Sequence, residues 1–151
     1  MQVNEIFKSI QGEGPNFGKP AIFLRTAQCN LKCTWCDTKY TWDWENYDFQ
    51  NEVKEMTIDE IKGSILDLEI KHLVITGGEP LLQQDDLADL LSFLKPDFYV
   101  EIETNCTILP NKMLTDLVDQ WNVSPKTENS GNSLELYENN ECYYFFANQE
   151  N

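Results

Sequence analysis

Three cysteines crowd into eight residues of this chain: Cys29-Asn30-Leu31-Lys32-Cys33-Thr34-Trp35-Cys36 spells C-x3-C-x2-C. Three thiolates at that spacing on one loop can reach three irons of a 4Fe–4S cubane, which leaves the fourth iron without a protein ligand. Such an open iron can chelate a substrate or a cofactor. Zinc and plain structural thiols are the competing readings. Zinc wants four Cys or His ligands, and the one histidine, His72, stands 36 residues beyond Cys36 inside an apolar run. Cys106 and Cys142 are isolated and read as small buried residues.

A second group follows the run HLVIT (72–76): Gly77-Gly78-Glu79-Pro80. A glycine pair at the end of a parallel strand lets the backbone approach a ligand closely, and Glu79 adds an acceptor for an amino group. Standing alone, GGEP is also an ordinary turn. Polar groups close two further apolar runs: Glu101 and Glu103 flank Ile102 ahead of Thr104-Asn105, and Ser124-Pro125-Lys126 follows WNV. Polar strand ends in register describe the rim of an active site, where Ser124 and Lys126 suit a ribose and a carboxylate. Trp35, between the last two cysteines, either shields the cluster, lies near an adenine or simply packs.

These residues need strands to carry them. Residues 20–26 (PAIFLRT) read as a strand, 27–38 as a loop, and 39–55 as an irregular insertion rich in polar and aromatic residues. Thr57-Ile58-Asp59-Glu60 has capping-box spacing and predicts a helix to about Glu69. HLVIT is a short buried strand. Asp85 to Leu94 is a helix with Leu87, Leu90, Leu91 and Leu94 on one face. Phe98–Glu103 is a strand, Asn111–Gln120 a helix, Trp121–Ser124 a strand, 129–132 a turn and Cys142–Phe146 (CYYFF) a final strand. Alternating strands and helices mean a parallel sheet with crossover helices. A full eight-fold barrel takes about 250 residues. The expected fold is therefore α/β, a partial, open TIM-like barrel, with residues 1–151 as a single domain.

The 151 residues carry 26 acidic and 11 basic side chains, a net charge of −15. A field of that sign repels phosphate backbones, so nucleic acid is not expected as a partner. No apolar run approaches the ~18 residues that span a membrane, and MQVNEIFKSIQGEG has no apolar signal-peptide core. A cytoplasmic location, where thiols stay reduced, is the expectation.

Taken in order, Gln11-Gly12-Glu13-Gly14-Pro15, the segment from Gly18 to Arg25, CNLKCTWCDT (29–38), VITGGEP (74–80), EIETN (101–105) and VSPK (123–126) resemble the 7-carboxy-7-deazaguanine synthase family of the radical S-adenosylmethionine (SAM) superfamily. The resemblance covers nearly the whole chain. It implies a carbon–nitrogen lyase that contracts the ring of 6-carboxy-5,6,7,8-tetrahydropterin to 7-carboxy-7-deazaguanine with loss of ammonia, on the route to preQ0 and queuosine. The cofactors implied are a 4Fe–4S cluster on Cys29, Cys33 and Cys36, SAM and Mg2+.

The same resemblance distributes roles. Ile10, Gln11, Gly12, Glu13, Arg25 and Thr76 would hold the pterin, with Gln11 and Glu13 on its amidine-like edge and Arg25 on its carboxylate. Trp35, Cys36, Asp37, Gly78, Glu79, Ser124, Pro125 and Lys126 would border SAM, and Thr38 would offer its hydroxyl to Mg2+. A flavodoxin or ferredoxin would donate the electron, and a homodimer is implied. The chain departs from the family in stopping soon after Phe146, short of the strand and helix units that usually follow. That keeps two alternatives in view, another small radical SAM protein such as an anaerobic ribonucleotide reductase activator, or a cluster-binding module without catalysis.

Overall fold

A computed structural model describes residues 1–133 together with Glu135, Glu141, Cys142 and Phe145. Its strands are β1 (Gln2–Ile10), β2 (Pro20–Thr26), β3 (Lys54–Glu55), β4 (His72–Gly77), β5 (Tyr99–Thr104) and β6 (Gln120–Val123). They form one sheet in the order β3-β1-β2-β4-β5-β6. β2, β4, β5 and β6 run parallel, as the alternation of strand and helix requires. The open, mostly parallel α/β architecture is therefore the expected one.

Two strands were not expected. β1 lies antiparallel to β2, with Phe7 opposite Phe23, and β3 adds two residues to its outer side. The residues QVNEIFKSI mix charge with apolar side chains and leave Glu5, Lys8, Ser9 and Ile10 exposed, so the segment lacks the apolar run that marks a central strand. The expected terminal strand is a correction of the opposite kind. Of Cys142–Phe146, the described residues Cys142 and Phe145 are helical, as is Glu141 just before them. The rest of that segment lies outside the described residues.

Among the described residues, the strands are accompanied by the helices α1 (Phe49–Glu52), α2 (Ile58–Leu66), α3 (Gln84–Leu94) and α4 (Lys112–Leu117), besides the helical residues near Cys142. The capping box at α2 is complete. Thr57 accepts from the Glu60 N–H at 3.3 Å, and the Glu60 carboxylate accepts from the Thr57 N–H at 2.8 Å. α2 stops short of Glu69, which adopts φ 57°, a left-handed conformation that no helix continues through.

Strand parity then divides the sheet. Ile22, Leu24, Leu73, Ile75, Val100 and Ile102 point to one face and pack against Ile61, Ile65, Leu87, Leu90, Leu91 and Leu94 of the helices, all essentially buried. Each such side chain contributes roughly 1.5–3 kcal/mol on removal from water. The opposite parity, Phe7, Ala21, Phe23 and Val74, makes a smaller apolar cluster. Arg25, Thr76 and Glu103 continue that face toward the carboxyl ends of the parallel strands, where a barrel-type sheet presents its ligands.

Candidate active site

One cavity of about 430 Å³ opens at those strand ends. It gathers residues from five places in the chain: the end of β1 and the loop after it (Ile10, Gln11, Gly12, Glu13), β2 (Arg25), the cysteine loop (Cys29 to Thr38), the end of β4 (Thr76, Gly77, Gly78), and the ends of β5 and β6 (Glu103, Asn105, Ser124, Lys126). Of the residues singled out from sequence, Cys29, Cys33, Trp35, Cys36, Asp37 and Thr38 all line it. Pro125 is exposed and Glu79 is buried, and neither lines the cavity.

Each of the three thiols faces an N–H donor. The Leu31 backbone N–H points at Cys29 Sγ from 3.4 Å, Asn132 Nδ2 at Cys33 Sγ from 3.2 Å, and Trp42 Nε1 at Cys36 Sγ from 3.4 Å. Asn105 Nδ2 lies 3.9 Å from Cys29 Sγ as well. Donors aimed at sulfur suit thiolates in a cluster. Among the described residues no three His, Cys, Asp or Glu side chains could hold a single metal ion together, whereas a cubane takes its three thiolates at three separate irons. The residues present therefore fit the cluster. Burial pushes the Cys29 thiol up to about 11, so ligation there must displace a proton.

The GGEP turn works differently from the sequence expectation. Glu79 is fully buried, and its carboxylate accepts the Leu81 N–H at 3.0 Å, the Thr104 hydroxyl at 2.9 Å and the Asn105 N–H at 2.7 Å. It ties β4 to β5 and has no exposed oxygen to offer a ligand. Burial raises its pKa, against the pull of those three donors. Gly78 lines the cavity and also makes a close backbone contact. A Cβ there would stand 2.0 Å from the Gln28 carbonyl oxygen and 2.9 Å from Cys29 Cβ. The turn is pressed against the start of the cysteine loop, and its backbone bonds Gly78 N–H to Thr26 O and Glu79 N–H to Gln28 O hold it there.

Gln11 lines the cavity with little of its surface open. It is 1% exposed, its Nε2 donates to Glu101 at 2.9 Å and Glu103 at 3.3 Å, and its Oε1 accepts the Glu13 N–H at 3.1 Å. Its side-chain amide thereby positions two carboxylates, that of Glu103 at the cavity. Glu101 is the anchor of this group, fully buried beneath the cavity. Asn16, Asn122, Gln11 and His72 all reach it, at 2.5 to 2.9 Å. Burial alone would raise its pKa, but these partners together hold it below the usual carboxylate value. Gly14, at φ 64°, lets the β1–β2 loop rest directly on Asn122, where a Cβ would meet Oδ1 at 2.3 Å.

Glu103 does face the cavity. Burial lifts its pKa, and the nearby Glu13 carboxylate adds to the rise, while Thr76, Gln11 and Arg25 oppose it. Arg25 pairs through Nε with Glu5 at 2.8 Å and lies over the Phe7 ring. Lys126 Nζ donates to Ser124 Oγ at 2.8 Å and sits 5.5 Å from the Trp35 ring centre. Phe7, Ser9, Phe23 and Trp42 also line the cavity and were missed from sequence. The period-two pattern Phe7-x-Ser9-x-Gln11 beside Phe23-x-Arg25 was the available signal.

The sequence profile of the radical SAM superfamily matches residues 23–127, so the chain is a radical SAM protein. A cluster held by three cysteines and SAM are the cofactors of that class. Curated relatives called 7-carboxy-7-deazaguanine synthase include one from Pyrobaculum aerophilum, 44% identical over 87% of this chain and 57% of the relative. Another, from Buchnera aphidicola, is 35% identical over 94% of this chain and 69% of the relative. A crystal structure of QueE from Escherichia coli superimposes with a TM-score of 0.62 at 30% identity, covering 91% of this chain and 66% of that one. The chain belongs to the 7-carboxy-7-deazaguanine synthase family. It spans little more than half the length of the Pyrobaculum relative and 48% of one from Thermoplasma acidophilum.

Proposed function

We propose that this chain converts 6-carboxy-5,6,7,8-tetrahydropterin to 7-carboxy-7-deazaguanine with loss of ammonia, in queuosine and related 7-deazapurine biosynthesis. The observation that carries the proposal is a single cavity that joins the three cluster cysteines to Arg25, Glu13, Glu103 and Thr76. Held by Cys29, Cys33 and Cys36, a cluster together with SAM would supply the radical chemistry that begins at the pterin carbon bearing the carboxylate.

The protein's own work is to hold the substrate still beside them. The guanidinium of Arg25 suits the substrate carboxylate, since its ion pair with Glu5 uses Nε alone among the described residues. Glu13 and Glu103, set in place through Gln11, offer acceptors to the N–H groups of the pterin's amidine-like edge. The stacked rings of Phe7 and Phe23, 5.4 Å apart, give the cavity an apolar wall that limits water. Trp35, Asp37, Gly78, Ser124 and Lys126 border the space assigned to SAM, and Thr38, its hydroxyl 3.6 Å from Cys36 Sγ, is the residue assigned to Mg2+.

The proposal includes a flavodoxin- or ferredoxin-type electron donor, a cytoplasmic setting and a homodimer. No described helix is long and apolar enough to cross a membrane. Exposed Phe17, Phe93 and Ile10 supply apolar surface that a second copy could cover.

Iron analysis tests the foundation. Anaerobically reconstituted protein should carry close to four irons and four sulfides per chain. Cys29→Ala, Cys33→Ala or Cys36→Ala should abolish this, and Cys106→Ala should not, because Cys106 is fully buried and does not line the cavity. Zinc in the three-cysteine site under the same conditions would end the proposal.

A further inference from the structure

The turn at residues 128–133 lies about a hundred residues beyond the cysteine loop, yet it grips that loop at several points. The Thr34 N–H donates to Ser130 O at 2.9 Å, and Trp35 Nε1 to Asn129 O at 3.2 Å. Gly131, at φ 80°, fits so tightly over Thr34 that a Cβ would meet Thr34 Cγ2 at 2.8 Å. Asn132 completes the grip with both ends of its amide. Its Oδ1 accepts the Lys32 N–H at 3.1 Å, and its Nδ2 reaches Cys33 Sγ at 3.2 Å and Ser130 Oγ at 3.0 Å.

The bond from Lys32 decides which way the amide faces. A backbone N–H needs an acceptor, so the oxygen must lie toward Lys32 and the NH2 toward the sulfur. Cys33 is the most buried of the three cluster cysteines, 7% exposed. A hydrogen bond to an ionised acceptor is stronger than one to a neutral group, and shielding from water strengthens it further. A donor on a ligating thiolate withdraws electron density from the cluster. It stabilises the reduced form, which carries one more negative charge, more than the oxidised form.

We infer that Asn132 is a positioning residue of the cluster, one that fixes the Cys33 thiolate through its Nδ2–H and thereby raises the reduction potential. The inference rests on the reading of Cys29, Cys33 and Cys36 as the cluster site. The step concerned is a one-electron reduction from 2+ to 1+, with the electron supplied by an added low-potential titrant such as dithionite.

The test is a potentiometric titration of reconstituted wild type, Asn132→Leu and Asn132→Asp, followed by the electron paramagnetic resonance of the reduced cluster without SAM or substrate. Asn132→Asp keeps an acceptor for Lys32 and removes the donor to Cys33. Both variants should show a reduction equilibrium constant at least tenfold lower, a fall of ~59 mV in midpoint potential for a one-electron couple. Coinciding midpoints in loaded wild type and loaded variants would overturn the inference and leave the cluster reading intact. A wild type without a cluster would overturn both. Because a variant could fail to load, wild type labelled with 15N-asparagine gives a second arm. Its reduced cluster should show coupling to an asparagine side-chain nitrogen that persists in Asn105→Ala, and no such coupling would overturn the inference without any change at position 132.

Discussion

Glu79 Oε2 accepts the backbone N–H of Asn105 at 2.7 Å, and so binds the turn after β4 to the end of β5 directly beside the cysteine loop. Asn105 passes the constraint on, with its side-chain amide donating to Asn30 Oδ1 at 3.0 Å and lying against Cys29 Sγ. A residue that the sequence presents as a ligand for SAM is thus a strut between two strand ends and the first cluster cysteine.

Replacing that strut should therefore damage the cluster site as well as the fold. Glu79→Ala leaves the Asn105 N–H and the Thr104 hydroxyl without their buried partner, at a cost of about 1–3 kcal/mol for each unsatisfied group. Chemical denaturation should show a loss of at least about 2 kcal/mol, and reconstitution should yield fewer than four irons per chain. A variant with unchanged stability and full iron content would show that the carboxylate is dispensable.

Two glycines of the cavity should behave oppositely. Gly78→Ala drives a Cβ into the Gln28 carbonyl, so Gln28 and Cys29 must shift and iron loading should fall. This differs from a purely SAM-directed effect, in which the cluster would survive. Gly12→Ala meets nothing within 4 Å and has no positive φ, so stability and iron content should stay within ordinary surface-substitution limits, about 0.5 kcal/mol. If the backbone at Gly12 contacts the pterin, the readout that changes is KM.

The cysteine loop, GGEP and the parallel strands were legible because each is a local pattern, a fixed spacing or an apolar run closed by turn residues. β1 was not, since its apolar residues Ile6 and Phe7 are adjacent and face opposite sides of a strand whose far neighbour is only two residues long. The inward turn of Glu79 and the burial of Gln11 were hidden for another reason. A carboxylate or amide beside a glycine looks the same in sequence whether it serves a ligand or three donors of the fold. Asn132 and Cys33 are 99 residues apart, a separation over which nothing local reports contact.

Acid sensitivity should trace to Glu101. Its pKa is held below the usual value of 4.5, so the stability it contributes is fully present above about pH 4.5 and is lost as pH falls through its folded-state pKa. Glu101→Gln exchanges an acceptor-only group for one that carries its own N–H donors among Gln11, Asn16, Asn122 and His72. Urea denaturation at pH 7 should show a loss of about 2–3 kcal/mol. The gap between variant and wild type should narrow as pH drops below 4.5. A gap that stays constant from pH 7 to pH 4 would remove Glu101 as the titrating group.

Anaerobic turnover tests the central claim most directly. Reconstituted protein is mixed with 6-carboxy-5,6,7,8-tetrahydropterin, SAM, Mg2+ and a low-potential reductant, and the products are followed by mass spectrometry. The account predicts 7-carboxy-7-deazaguanine and ammonia in equal amounts, with Arg25→Ala losing most of the product while the cluster remains, because Arg25 lines the cavity and carries no part of the cysteine loop. A protein that binds its cluster and cleaves SAM to 5′-deoxyadenosine yet leaves the pterin unchanged would contradict it.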